Sequence, residues 1–373
     1  MGNKRCIIHL PFHIDFEHPS GSQIRPVRII DAFKNIGYKA EVITGYGDER
    51  KKRIREIEKS IDDGIKYDFL YSESSTQPTL LTEKNHFPKY PFLDFGFLKF
   101  CKQRNIKIGL FYRDIYWRFP IYDQSVKTPK RQIAKSFYNY DLYKYNQLLD
   151  VIYLPTKLMY EYIPFNFKGI VDELPPGINS CEIEKKNIEK NTNEVNTNNL
   201  KIFYVGGISS IYNIKLLFEV VNELSNVELT VCCRKEEWEK EKEVYESFIN
   251  SRIKIIHKFG KDLEPYFREC DICSLLFEPI EYRNFAMPVK LFEYMTYLKP
   301  IISTKGTAAG EFVEKNDIGW NVEYDKEKLK DIMNLILNNR STLLGKIYNI
   351  EKTLNYNTWE ARALKVKSDL TSL

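Results

Sequence analysis

The stretch NFAMPVKLFEYMTYLKPII, residues 284–302, changes periodicity partway through. Val289 with Phe292, and Leu291 with Met295 and Leu298, recur at helical spacing and define an apolar face. Pro288 is expected at the first helical position, where a missing N–H costs nothing. From Pro300 the chain becomes β-rich, PIISTKG at 300–306, and a second β-rich run, DICSLLFEP at 271–279, precedes the helix. Strand, helix and strand in that order form the unit of a parallel sheet with a right-handed crossover. Lys290 and Glu293 lie three apart and share a face other than the apolar one.

The same alternation runs outward in both directions. RCIIHL, KAEVITG, YDFLYSES, IKIGLFYRD, DVIYLPT and GIVDELPPG read as strands in the first half. LKIFYVGG, VELTVCCR, IKIIHKFG, DICSLLFEP, PIISTKG and GWNVEYD read as strands in the second. Between the halves, CEIEKKNIEKNTNEVNTNN is polar and asparagine-rich and has no apolar period, so it reads as a linker. The expectation is an α/β chain of two Rossmann-like domains facing across a cleft. Residues 1–181 form the first domain, completed by a terminal helix within 355–373. Residues 182–199 form the linker and 200–354 the second domain. The halves are expected to share one topology without a visible sequence repeat. The terminal helix is read with Trp359 at its start and Ala361 and Leu364 on its packed face.

Composition narrows the possibilities. The 373 residues suffice for two domains, and the apolar and charged fractions, 43% and 29%, are those of a globular protein. No run of apolar residues is long enough to span a bilayer. The N-terminus lacks the apolar core of a signal peptide. Seven cysteines, an odd number, suit a reducing, cytoplasmic compartment. Cys270 and Cys273 form a lone C-x-x-C and read as core thiols, because a zinc site would need further ligands. The net charge of +5 is modest and the charge clusters mix both signs, which argues against a nucleic-acid partner. KTPKRQIAKSFYNYDLYKYN, 127–146, instead interleaves basic residues with tyrosines. It is read either as a helix packing its aromatics or as a segment lying against an anionic membrane face.

In open parallel sheets ligands bind beyond the carboxyl ends of the strands. The unusual residues fall there: PSGSQIRP (19–26), YRDIYWRFP (112–120), GGISS (206–210) and TKGTAAGE (304–311). At the start of a helix the first amides lack internal partners and attract anions. Lys290 adds a full charge for a phosphate, and Glu293, one turn on, accepts hydrogen bonds from a vicinal diol such as a ribose. Lys305, Gly306 and Thr307 follow the next strand, where a glycine lets backbone amides approach a diphosphate. Arg234 ends another strand. The bland alternative for Lys290 and Glu293 is a surface ion pair.

The segments P-x-K-x-x-E-Y-M (288–295), KPII (299–302) and TKGTAAGEFV (304–313) resemble the donor-binding region of GT-B glycosyltransferases of the family 4 type. LPPGIN, YVGGI and the terminal YNTWEARA sit where that family has similar segments. The resemblance implies a nucleoside-diphosphate sugar as donor substrate, with no further cofactor and no metal. Glu293 would bind the donor ribose and Lys290 would face the diphosphate. Gly306 and Thr307 would hold the diphosphate by their backbones, Gly207 would lie under the phosphates and Phe259 near the base. Asn284, Lys305 and Arg234 complete the expected donor set. Gly21, Arg25 and Arg113 are expected on the acceptor side. Lys290 is the expected electrostatic catalyst. Asp15 and Asp114 are the candidate bases if the reaction inverts rather than retains configuration.

The resemblance has departures. The family commonly has a second glutamate eight positions before the ribose-binding one, and this chain has Phe285. It commonly has an arginine soon after the first glycine turn, where this chain reads GGISSIYN; Arg234 is the candidate substitute. The acceptor is expected to be a glycan, lipid-linked or on a protein, at the inner face of the plasma membrane. Two rival readings stay open. One is a sugar-nucleotide epimerase using His9, His13, His18, Asp15 or Glu17; the other is a non-catalytic binding protein of the same fold. A nicotinamide-dependent oxidoreductase is disfavoured, because the glycine turns lack G-x-G-x-x-G.

Overall fold

The computed structural model describes residues 4–17, 23–179 and 199–373. Gly21, His18 and residues 182–198 of the expected linker lie outside them. The chain divides into two compact units, residues 1–177 with 359–373, and residues 178–358.

The first unit is a six-stranded parallel sheet of β1 (Arg5–His9), β2 (Lys39–Ile43), β3 (Phe69–Glu73), β4 (Lys107–Phe111), β5 (Val151–Leu154) and β6 (Ile170–Glu173). Its order is β2-β1-β3-β4-β5-β6. β3 and β5 are buried at every position, as strands covered on both faces must be, while β2 and β6 form the edges and are partly exposed. The second unit has β7 (Leu200–Val205), β8 (Val227–Cys232), β9 (Ile253–Ile256), β10 (Ile272–Leu275), β11 (Ile301–Thr304) and β12 (Gly319–Val322). These run parallel in the order β12-β11-β10-β7-β8-β9.

All twelve β-rich runs are strands, but the expected common topology is wrong. Counted from its own first strand, the second unit has the order 3-2-1-4-5-6, and the first has 2-1-3-4-5-6. Hydrophobic patterning marks each strand but carries no information on which neighbour it pairs with. The strand order reverses beside β1 and β3 in the first unit, and beside β7 and β10 in the second.

The terminal helix, Trp359–Thr371, returns to the first unit. Its packed face is Trp359, Ala363, Val366 and Leu370, against Cys6, Ile8, Phe33 and Tyr71. Leu364 is 48% exposed, so the expected face is two positions out of register. ARALKV offers apolar residues in two helical registers, and contact with the sheet selects one. Gly109 of β4 makes room for this contact, since a Cβ there would lie 2.9 Å from the Tyr153 ring and 3.0 Å from Leu370. Arg362 ties the helix down by donating from Nε to the carbonyls of Pro175 and Pro176 at 3.1 and 3.2 Å. Ile178, leaving the first unit, bridges to Thr358, and its N–H donates to Asn357 O at 2.7 Å.

No helix among the described residues is long and apolar enough to cross a membrane. The six described cysteines are buried thiols; Cys270 and Cys273 hold their sulfurs 3.9 Å apart inside the second core. The basic-aromatic segment forms the helix Lys130–Leu148. Tyr138 stacks on Trp117 at 5.0 Å and Tyr145 is buried, whereas Ile133 and Tyr143 face outward, 51% and 56% exposed.

Asp141 on this helix is buried. One carboxylate oxygen accepts from Thr79 N at 2.7 Å and the other has no partner. Burial is the main reason its pKa rises from 3.8 to about 7. A raised folded-state value favours the protonated fold. The contribution is therefore fully present below the unfolded pKa and lost as pH rises through about 7. Asp141→Asn removes this titration. Its stability relative to wild type should climb between pH 4 and pH 7, by up to about 1.4 kcal/mol per pH unit, and level off above. Chemical denaturation across that range checks it, and parallel curves for the two proteins would refute it.

Candidate active site

In the second unit the helix Val289–Thr296 lies between β10 and β11. Pro288 is its N-cap rather than its first residue, with extended backbone at φ −73° and ψ 138°. Leu291, Phe292, Tyr294 and Met295 are buried, and Val289, expected on that face, is 40% exposed. The hydroxyl of Tyr294 accepts from Val205 N at 3.1 Å and donates to Val205 O at 3.3 Å. This fixes the helix to the end of β7. Lys290 Nζ donates to Glu293 Oε2 at 2.6 Å, each side chain about one-third exposed. Both charges are felt by Cys232, the last residue of β8, whose thiol pKa is pushed up chiefly by burial. The pair therefore stands over the carboxyl edge of the sheet.

Beside it is a narrow pocket lined by Phe277, Glu278, Arg283, Pro288, Thr304 and Thr307, among others. Thr307 caps the helix Ala308–Lys315: its hydroxyl oxygen accepts from Gly310 N at 3.0 Å and donates to Thr304 O at 2.7 Å. Gly306 has φ +80° with open space where a Cβ would stand, so a side chain there would be strained by the backbone alone. Asn284 ends the short helix Glu281–Asn284 and is half-buried. Phe285 is 3% exposed and belongs to the packing. Lys305 is exposed and pairs with Glu323 at 2.9 Å. Phe259 is 82% exposed, and Arg234 is the exposed N-cap of the helix Lys235–Tyr245. The glycine turn after β7 is already served from within. Glu237 Oε1 accepts from Ile208 N at 3.0 Å and Ser209 N at 3.2 Å, and the Tyr204 hydroxyl donates to Gly207 O. A Cβ on Gly207 would approach Glu237 to 2.9 Å and the Tyr212 ring to 3.1 Å. Glu237, Tyr212, Phe277 and Arg283 were missed by sequence reasoning, since no motif singles them out and only the fold gathers them.

The first unit has its own pocket where its strand order reverses. Phe12 and His13 follow β1, Ser75, Thr76 and Gln77 follow β3, and Arg113 follows β4. His13 stacks on Tyr46 with ring centroids 4.8 Å apart and planes within 2°. Glu83 and His86 add to the polar lining. Arg113 is half-buried and donates from Nη2 to Glu73 Oε2 at 3.1 Å. Arg25, expected to face an acceptor, is instead 6% exposed. It donates from Nε to Glu73 Oε1 at 3.2 Å and lies 3.5 Å over the Phe111 ring, so it holds the buried Glu73 in place. His9 is also internal, between Ser72 and Asp94 at 3.0 Å each, and Arg50 pairs with the same Asp94. Burial works to raise the Asp94 pKa, but the His9 hydrogen bond and the Arg50 charge outweigh it and hold the carboxyl below its ordinary value. Asp15 is exposed and accepts from Glu17 N at 3.0 Å; Asp114 is half-buried and accepts from Tyr116 N at 3.0 Å. Among the described residues no three His, Cys, Asp or Glu side chains are grouped to hold a metal ion.

The family model Glycosyl transferases group 1 matches residues 199–339. No curated protein sequence matches the chain. Among solved structures, sucrose-phosphate synthase from Thermosynechococcus elongatus superposes with a TM-score of 0.62 at 13% identity, over 99% of each chain. HepE of Anabaena, solved with UDP and glucose, gives 0.62 at 14%, over 99% of this chain and 100% of that one. WaaG, a glycosyltransferase involved in lipopolysaccharide biosynthesis, gives 0.59 at 12%, over 98% and 100%. At these identities the likeness is one of fold. Residues 199–339 of the second unit, which carries the Lys290–Glu293 helix, thus match the glycosyl transferases group 1, and the chain as a whole has the GT-B fold.

Proposed function

We propose that the protein transfers a glycosyl group from a nucleoside-diphosphate sugar to a hydroxyl on a glycan acceptor. The observation that carries the reading is the Lys290–Glu293 pair. It stands on a helix pinned to β7 by Tyr294, at the sheet edge where such folds bind ligands. Glu293 receives the ribose diol. Lys290 turns from Glu293 to the diphosphate, where negative charge grows as the bond to the sugar breaks. The departing phosphate takes the acceptor proton, and configuration is retained. Asp15 and Asp114 become candidate bases only for an inverting reaction, and each already serves a local turn. The acceptor enters the pocket of the first unit, where the stacked His13 and Tyr46 offer an aromatic wall and Gln77, Glu83 and Arg113 offer hydrogen bonds. The product belongs to a surface polysaccharide or another glycoconjugate, on a lipid-linked or protein-borne acceptor.

The two residues should fail differently. Glu293→Ala should chiefly raise the donor KM, because the ribose does not change during reaction. Lys290→Ala should lower kcat by about a hundredfold. Both variants should melt like wild type, since the pair is one-third exposed and the buried face is untouched. Unchanged kinetics in both would mean a surface ion pair and would sink the donor site.

The reaction is proposed to need no bound metal, because Lys290 and the helix N-terminus supply the positive charge that faces the departing diphosphate. Turnover should persist in EDTA. Full loss restored by manganese would refute this.

The helix Lys130–Leu148 is proposed to touch an anionic membrane surface through Ile133, Tyr143 and the neighbouring Lys130 and Arg131. Co-sedimentation with phosphatidylserine-containing vesicles should weaken with salt, as screened attraction does. Absence of binding, or salt-insensitive binding, would leave packing as the helix's whole role.

A further inference from the structure

Arg283 differs from its fellow arginines in the second unit. Arg252 donates to the carbonyls of Val221, Leu224, Val227 and Asn222. Arg268 pairs with Glu264 at 2.9 Å, Arg340 pairs with Asp271 at 2.8 Å, and Arg234 stands exposed. The guanidinium of Arg283 is half-buried and pairs with no carboxylate among the described residues. Instead its carbon lies 4.2 Å from the centre of the Tyr212 ring and 4.5 Å from that of Phe277. Aromatic faces attract a cation but leave its in-plane N–H donors unused. None of its nitrogens is a buried atom without a partner, so its donors face solvent, where an arriving anion can take the place of water.

The position indicates which anion. Tyr212 follows β7 and Phe277 follows β10, so Arg283 is mounted over the reversal of strand order in the second sheet. It shares its pocket with Pro288 and Thr307, the N-caps of two eight-residue helices, and both helix ends favour negative charge. The carboxylate in that lining, Glu278, is exposed and accepts from Asn213 Nδ2 at 2.7 Å. The Tyr212 and Phe277 rings stand at 80° to each other and wall the guanidinium on two sides, and a guanidinium fork matches two phosphate oxygens as an ammonium does not.

We propose that Arg283 binds the diphosphate of the nucleoside-diphosphate donor, with Tyr212 and Phe277 serving as its mount. This rests on the transferase reading above. It assigns the diphosphate a second cation beside Lys290, one supplied by the loop after β10 rather than by the glycine turn, whose amides Glu237 occupies.

The test titrates the full chain with UDP, GDP and ADP by calorimetry, and with the matching nucleosides by ligand-observed NMR. For the diphosphate that binds wild type best, Arg283→Gln should weaken binding about tenfold or more, as loss of a charged hydrogen-bond donor does. Affinity for the nucleoside should stay as in wild type. Arg283→Lys should recover only part of the loss, because it restores the charge without the fork. Wild-type diphosphate affinity in Arg283→Gln overturns the assignment. So does an equal loss for diphosphate and nucleoside, which would mark a structural prop. If Arg283→Gln does not melt cooperatively, Arg283→Lys carries the test: weakened diphosphate with intact nucleoside binding supports the assignment, and parity with wild type overturns it. A wild type that binds none of the three diphosphates overturns the transferase reading itself, and this assignment with it.

Discussion

Parallel strands cannot be joined by a tight turn, so each connection within either sheet must cross over and lay its chain on one face of that sheet. Where the strand order reverses, successive crossovers go to opposite faces and leave a crevice at the carboxyl edge. Each unit has one such reversal, beside β1 and β3 and beside β7 and β10. The first unit's pocket opens there, and the second unit's narrow pocket lies next to its reversal, over β10 and β11. The first collects the loops after β1, β3 and β4; the second collects those after β10 and β11, with Tyr212 from the loop after β7 stacked on Arg283. Backbone pairing thus decides which loops become neighbours before any side chain is considered.

Buried charge in the first unit shows how partners decide the outcome of burial. Glu73 is fully buried between Arg25 and Arg113. Asp94 lies between His9 and Arg50 and is held ionised more readily than usual. Asp141 is about as buried as Asp94, but its one assigned bond comes from a neutral amide, and desolvation prevails. Breaking a buried pair by removing one partner typically costs about 3–5 kcal/mol. The arginines behind the first pocket are therefore structural before they are anything else.

The second unit keeps its charges at the edge. Lys290 and Glu293 neutralise each other across one helical turn, a contact that an arriving ligand can replace at small cost because both groups are partly solvated. The helix beneath them does not share that freedom, since Tyr294 bonds both backbone groups of Val205. Partly solvated charges thus stand on a fixed platform, and Arg283 is walled by two rings, so the diphosphate site proposed above would have its dipoles and cations largely in place beforehand.

The sequence alone determined the twelve strands, the division into two α/β halves and the helix that carries Lys290 and Glu293. These are local properties: β-branched runs, helical spacing and turn residues act over a few positions. It did not determine the strand order, because apolar patterning is blind to the choice of neighbour. Nor did it fix the face of the terminal helix, where Ala363 and Val366 were chosen over Ala361 and Leu364 by contact with the sheet at Gly109. Arg25 read as an exposed loop cation until Glu73, 48 positions away, drew it into the core. Arg283 carried no signal at all, since what distinguishes it is the pair of rings beside it, and those follow two strands, β7 and β10, that the chain brings together only on folding.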